Sequence, residues 1–196
     1  VLQMCGIFAL FGEEVEAGYH LLHHRGPDDY STRTLGKCRM DFYRLAINDL
    51  TPTGMQPFKS DKSMLICNGE IYNHKKFRTG FEKGTSDCEV LIPMIEYFGV
   101  LETLDAITGD FAFVYSDGKK VIAARDPVGV RPLFYTRYAE NSIAFASEVK
   151  ALLFLNSAIQ IFPPGHIYDS YLDDFVCYHS GYWRVNKYVN DCTPDE

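Results

Sequence analysis

Near the start of the chain a cysteine directly follows a methionine, in Met4-Cys5-Gly6-Ile7-Phe8. If that methionine is clipped away, the cysteine becomes the first residue. Its free α-amine, titrating near ~8, can then take the proton of its own thiol, and no separate catalytic histidine is needed. Val1, Leu2 and Gln3 precede the methionine, so in the chain as written the Cys5 nitrogen is an amide and no base. A thiol enzyme that cleaves amides also needs an oxyanion hole and charged groups to hold its substrate. Asn68-Gly69 offers a side-chain NH2 beside a backbone N–H, although alone the pair reads better as a tight type I′ turn. Arg44, at the end of the apolar run Tyr43-Arg44-Leu45-Ala46-Ile47, can grip a carboxylate with two parallel hydrogen bonds. Asp87, at a helix start, can hold an ammonium. Taken singly, Arg44 reads as a solvent-facing strand end, Asp87 as a helix cap and Glu70 as a surface carboxylate.

The elements that must position these residues are mostly strands. Cys5 to Phe11 is an apolar run closed by Gly12, Cys38 to Ile47 alternates, and Met64 to Cys67 leads into the Asn68-Gly69 turn signal. Val15 to Leu22 has the spacing of a short helix, and His23 to Asp29 has the composition of a loop. A helix is predicted from Ser86-Asp87, with Glu89 completing a capping box, to a Gly99 C-cap, kinked at Pro93. A second helix spans Leu101 to Ile107. Strands follow at Phe111 to Tyr115, Val121 to Ala124, Leu133 to Tyr135 and Ser142 to Ala146, then a short helix from Ser147 to Leu155. Strands at Gly165 to Tyr168 and Phe175 to His179 close the set. This order implies an α+β layered fold.

Composition excludes several classes. The 196 residues suit one sizeable domain, and 46% hydrophobic residues with 14 Phe and 13 Tyr can fill its core. A net charge of −7 without a basic run argues against nucleic acid and anionic membranes as partners. No apolar run approaches the length that spans a bilayer. No secretory signal precedes the first strand. The six cysteines are widely spaced with no CxxC pair, which favours reduced cytoplasmic thiols over disulfides or a metal site.

In order along the chain, MCGIF, HRGPDD (His24 to Asp29), RLAI, NGEIYN (Asn68 to Asn73), TSDCEV (Thr85 to Val90), GDFAF, RDPVGVRPL (Arg125 to Leu133), SEVKAL and PPG resemble the class II glutamine amidotransferase domain. More narrowly, they resemble the N-terminal domain of the glutamine-hydrolysing asparagine synthetases, from Met4 to about Trp183. The resemblance implies a four-layer αββα sandwich of the N-terminal nucleophile hydrolase type. It implies that Cys5 attacks the glutamine side-chain amide, that its α-amine is the base, and that a glutamyl thioester releases ammonia and then glutamate. It places Asn68 and Gly69 as the oxyanion hole and Arg44 on the α-carboxylate. Glu70 and Asp87 fall at the α-amino end, with Leu45, Ile47 and Asn48 lining the same pocket. His24 falls in a loop near the pocket, and Asp126 and Arg131 are expected to be structural. Tyr182-Trp183 would form a closing strand.

On this resemblance residues 4–185 form the amidotransferase domain, residues 186–196 begin a linker, and residues 1–3 are a remnant of expression. No SGGxDS phosphate loop occurs. ATP and magnesium would belong to a synthetase domain beyond the chain, and this domain itself needs no cofactor or metal. The expected partners are glutamine and that synthetase domain, with a homodimer left open. The competing reading is a non-catalytic glutamine-binding homologue whose cysteine amine stays blocked.

Overall fold

The strand Gly6–Phe11 (β1) is buried along its whole length, and its alternation shows why. Ile7, Ala9 and Phe11 join one hydrophobic cluster, whereas Phe8 and Leu10 join another on the opposite face. A strand apolar on both faces must be covered on both. In the computed structural model, which describes residues 4–46, 51–78, 80, 84 and 86–179, it is. The predicted closing strand at Tyr182-Trp183 lies outside the described residues, as do residues 1–3, Thr85 and the tail.

The remaining elements are β2 (Asp29–Leu35), β3 (Cys38–Arg44), β4 (Phe58–Lys59), β5 (Met64–Ile71), α1 (Leu91–Phe98), α2 (Val100–Ala106), β6 (Gly109–Ser116), β7 (Val121–Arg125), β8 (Phe134–Ala139), β9 (Ser142–Ala146), β10 (Ile159–Ile161), β11 (His166–Asp169) and β12 (Asp174–Cys177). They form two antiparallel six-stranded sheets, ordered β10-β8-β9-β1-β3-β2 and β12-β11-β7-β6-β5-β4. Ile7, Ala9, Met40 and Phe42 of the first sheet pack against Ile66, Ala112 and Val114 of the second. On the far face of the second sheet, Phe111, Phe113 and Tyr115 pack under Leu91, Ile95 and Leu104 of α1 and α2. On the far face of the first, Phe8, Leu10 and Ala144 are covered by Leu22, Ala151, Leu152 and Leu155. Two outer layers thus enclose two sheets, the expected α+β sandwich.

The first sheet's outer layer is less helical than expected. Val15 to Leu22 yields only the 3₁₀ turn Tyr19–Leu22, and Ser147 to Leu155 yields two, Val149–Ala151 and Leu153–Leu155. The second segment is held open because the Ser147 hydroxyl accepts from the Ile7 N–H at 3.1 Å, and Glu148 is extended and ion-paired to Arg25. Asn156, at φ 49°, ends it. The capping box does not form: Ser86 makes no side-chain cap, and the Glu89 carboxylate accepts from Gly84 N–H at 2.9 Å. A 3₁₀ turn at Asp87–Val90 leads into α1. Pro93 thereby falls in the first turn of α1, where its missing N–H costs nothing, instead of kinking a longer helix.

Asn68-Gly69 form no turn, contrary to their local signal: both lie within β5, opposite Ala112 and Phe111 of β6. The pairing runs unbroken because Gly69 has no side chain, since a Cβ there would sit 2.2 Å from the Asp110 carbonyl oxygen.

Candidate functional site

Cys5 opens β1, and Arg44 ends β3, the neighbouring strand. Past Arg44 the chain turns over the cysteine: Leu45 N–H donates to the Cys5 sulfur at 3.3 Å, and the thiol reaches the Leu45 carbonyl at 3.5 Å. Two residues of the His24–Asp29 loop brace this corner. Arg25 Nε donates to the Cys5 carbonyl at 3.0 Å, and the Asp28 carboxylate accepts from Ala46 N–H at 2.8 Å. Glu148, beside β9, accepts from Arg25 Nη1 at 3.0 Å, so the strand on the other flank of β1 also holds the corner.

The opposite wall comes from the second sheet. Asn68, Gly69 and Glu70 lie on β5, and Asp87 starts the 3₁₀ turn packed on it. Asp87 accepts from Ile71 N–H at 2.6 Å, which fixes the carboxylate to the strand end. Gln56 clasps Cys67, donating to its carbonyl at 3.0 Å and accepting from its N–H at 2.6 Å, one residue before Asn68. The two walls line a solvent-open cleft. Its lining holds Cys5, Arg44, Leu45, Asn68, Gly69, Glu70 and Asp87 together. Ile47 and Asn48 lie outside the described residues.

Two features give the cleft a chemical direction. Asn68 is 2% exposed, yet its Nδ2 has no hydrogen-bond partner. A buried amide donor without an acceptor is uncommon, and this one belongs to a residue lining the same cleft as Cys5. The second feature is the thiol's charge state. Burial pushes the Cys5 thiol above its ordinary value, partly offset by the Leu45 hydrogen bond and by Arg44 and Arg25, so the neutral form prevails near pH 7. Among the described residues no histidine lines the cleft. The cleft combines a neutral thiol, an unused donor, the Arg44 cation on one wall and the Glu70 and Asp87 carboxylates on the other.

His24 is absent from the lining and half exposed, bonded through Nε2 to Glu148 at 3.0 Å. Asp126 is structural, its carboxylate accepting from the N–H groups of Val128, Gly129, Val130 and Arg131. Arg131 makes the expected ion pair, to Asp110 at 3.1 Å, but also lines the cleft beside Met4. Sequence reasoning missed Arg131 as a lining residue, together with the bracing roles of Asp28, Gln56 and Glu148. Among the described residues, no group of three or more His, Cys, Asp or Glu side chains could hold a metal ion, and no helix is long and apolar enough to cross a membrane.

The profile of a family described as "Glutamine amidotransferase domain" matches residues 4–178. Asparagine synthetase [glutamine-hydrolyzing] 3 of Arabidopsis thaliana is 40% identical over 189 residues, covering 85% of this chain and 32% of the plant protein. Asparagine synthetase [glutamine-hydrolyzing] 1 of Saccharomyces cerevisiae is 37% identical over 207 residues, covering 95% of this chain and 35% of the yeast protein. The chain thus spans about a third of the length of these curated relatives. Among solved structures, glutamine phosphoribosylpyrophosphate amidotransferase from B. subtilis superimposes with a TM-score of 0.76 at 21% identity, over 90% of this chain and 50% of that one. At that identity the likeness concerns the fold alone.

Proposed function

The chain belongs to the glutamine amidotransferase domain family, and from that premise we propose that its cleft hydrolyses the side-chain amide of glutamine to glutamate and ammonia. The observation that carries this reading is the buried, unpartnered Asn68 Nδ2 in a cleft that also holds Cys5. That donor and the Gly69 N–H meet the negative charge that grows on the amide oxygen as the Cys5 sulfur attacks. A preorganised donor of this kind is worth about 3 kcal/mol of barrier. Arg44 takes the substrate α-carboxylate, and Asp87 and Glu70 take its α-ammonium. Leu45 lines the same pocket. The thiol is neutral and lacks a side-chain base, so the base is the α-amine of Cys5, available only when Cys5 is the first residue. It moves the thiol proton to the departing ammonia, and water then releases glutamate from the thioester.

Residues 4–185 are taken as the working domain. In a longer polypeptide like the curated relatives, the ammonia would amidate an aspartate activated by ATP and magnesium on a following synthetase domain. A second reading rests on Met4, which lines the same cleft and whose peptide bond blocks the Cys5 amine: a glutamine-binding homologue without turnover. One comparison separates the two. Glutamate release is measured on protein cleaved so that Cys5 is first, as verified by intact mass, and on the uncleaved chain. The hydrolase reading expects turnover only after cleavage. Strong activity with Met4 attached refutes the amine as base, and none in either form leaves the binding module.

A further inference from the structure

Besides Cys5, the cleft holds two further thiols. Cys67, on β5, and Cys88, in the 3₁₀ turn Asp87–Val90, bring their sulfurs to 3.3 Å. Each residue is 2% exposed, yet both line the cleft, which gives a small solute a route to them. The Cys88 thiol has three acceptors within reach: the Cys67 sulfur, the Gly69 carbonyl at 3.6 Å and the Asp87 carboxylate at 3.6 Å. No step of the proposed hydrolysis uses either thiol.

We propose that Cys67 and Cys88 form an oxidisable dithiol, a modification site that hydrogen peroxide closes to a disulfide. Joining sulfurs at about 2.05 Å requires an approach of roughly 1.2 Å, within the reach of side-chain rotation. In the first step one sulfur attacks the peroxide O–O bond, giving a sulfenic acid and one water. In the second, the other sulfur attacks that sulfenic sulfur, the S–S bond forms, and the hydroxyl leaves with the thiol proton as a second water. The two thiols lose two electrons together, and the peroxide is reduced to two waters. The hydrogen bond to Cys67 and burial push the Cys88 thiol well above its ordinary value, so its part in closure is slow and accelerates as pH rises.

The pair's place in the chain gives closure a consequence. Cys67 immediately precedes Asn68, and Cys88 immediately follows Asp87. Drawing the sulfurs together shifts the residues proposed to face opposite ends of glutamine. This part rests on the proposed function, whereas the disulfide itself does not.

The test uses the full chain carrying Cys5→Ser, which removes the third thiol of the cleft. The protein is treated with hydrogen peroxide, remaining thiols are blocked, and peptides are mapped by mass spectrometry without reduction. A Cys67–Cys88 cross-linked peptide, abolished by dithiothreitol and absent from the Cys5→Ser/Cys88→Ser protein, is the expected result. Separate sulfinic or sulfonic acids at Cys67 and Cys88, with no linked peptide, overturn the proposal. Glutamine binding by calorimetry on the same samples should weaken at least several-fold on oxidation and recover on reduction. A cross-link with unchanged affinity overturns the coupling to the pocket, and a cross-link in protein that binds no glutamine in either state counts against the proposed function while the dithiol stands.

Discussion

The Leu45 N–H points at the Cys5 sulfur across 3.3 Å, so the end of the strand that carries Arg44 also holds the thiol. This hydrogen bond favours the thiolate, but burial opposes it and wins, leaving the thiol's pKa raised. A thiol in that state must hand its proton to a base before it can attack. In protein with Cys5 first, kcat/KM for glutamine should therefore rise with pH and level off near ~8, where the α-amine becomes neutral. A profile that stays level from about pH 6 to 9 would exclude the amine as that base.

Asn68→Ala removes the unpartnered donor and leaves no new polar group unsatisfied. Glutamine turnover should fall on the order of 10²- to 10³-fold, while the denaturation midpoint stays close to that of the parent. Near-parental turnover would strip Asn68 of its role. A collapse in stability would show that the side chain serves the fold instead.

Gly26 is the close-approach point of the His24–Asp29 loop. A Cβ there would lie 2.2 Å from the Tyr43 carbonyl oxygen and 2.5 Å from the Arg44 carbonyl carbon. Both neighbours are backbone of a strand paired on either side, so neither can yield locally. Gly26→Ala should cost about 2 kcal/mol or more in a urea titration. It should also weaken glutamine binding by displacing Arg44. Unchanged values for both would mean that the loop lifts away freely.

Cys38, wholly buried between the sheets, makes stability fall at alkaline pH. Burial raises its thiol from the ordinary 9.0 to about 12, against a smaller opposing effect of Ser116. The folded value is the higher, so the stabilisation is complete below pH 9 and is lost as pH climbs toward 12. At pH 10 the unfolded chain is favoured by about 1.4 kcal/mol through this group. Urea unfolding at pH 7 and pH 10 should show a smaller alkaline loss in Cys38→Ala than in the parent. Equal losses would assign the effect to other groups.

The fold was legible wherever apolar residues cluster into short runs. β1, β6, β7 and β9 are near-continuous apolar runs and β3 alternates in part, because each is buried along most of its length. β2 escaped notice because Asp29–Leu35 is an exposed edge strand whose polar residues carry no such signal. Asn68-Gly69 misled for the opposite reason: its local turn preference is real, but pairing with β6 overrides it. The site residues were readable as chemical types, yet only their order along the chain singled them out. Asp28 and Gln56 act on backbone groups 18 and 11 residues away, and a one-dimensional pattern holds no trace of such contacts.

The link between Ile7 and Ser147 spans 140 positions, and β1 lies between β9 and β3. During synthesis, β1 therefore waits for a neighbour that leaves the ribosome long after it. At typical translation speeds the delay is on the order of ten seconds. Throughout that interval the β9 edge of the strand that follows Cys5 stays open, and the thiol lacks the brace that the segment beside β9 supplies. The protein's most reactive candidate atom is thus among the first to be made and among the last to be enclosed, and a chain truncated before Ser147 would carry the thiol without its setting.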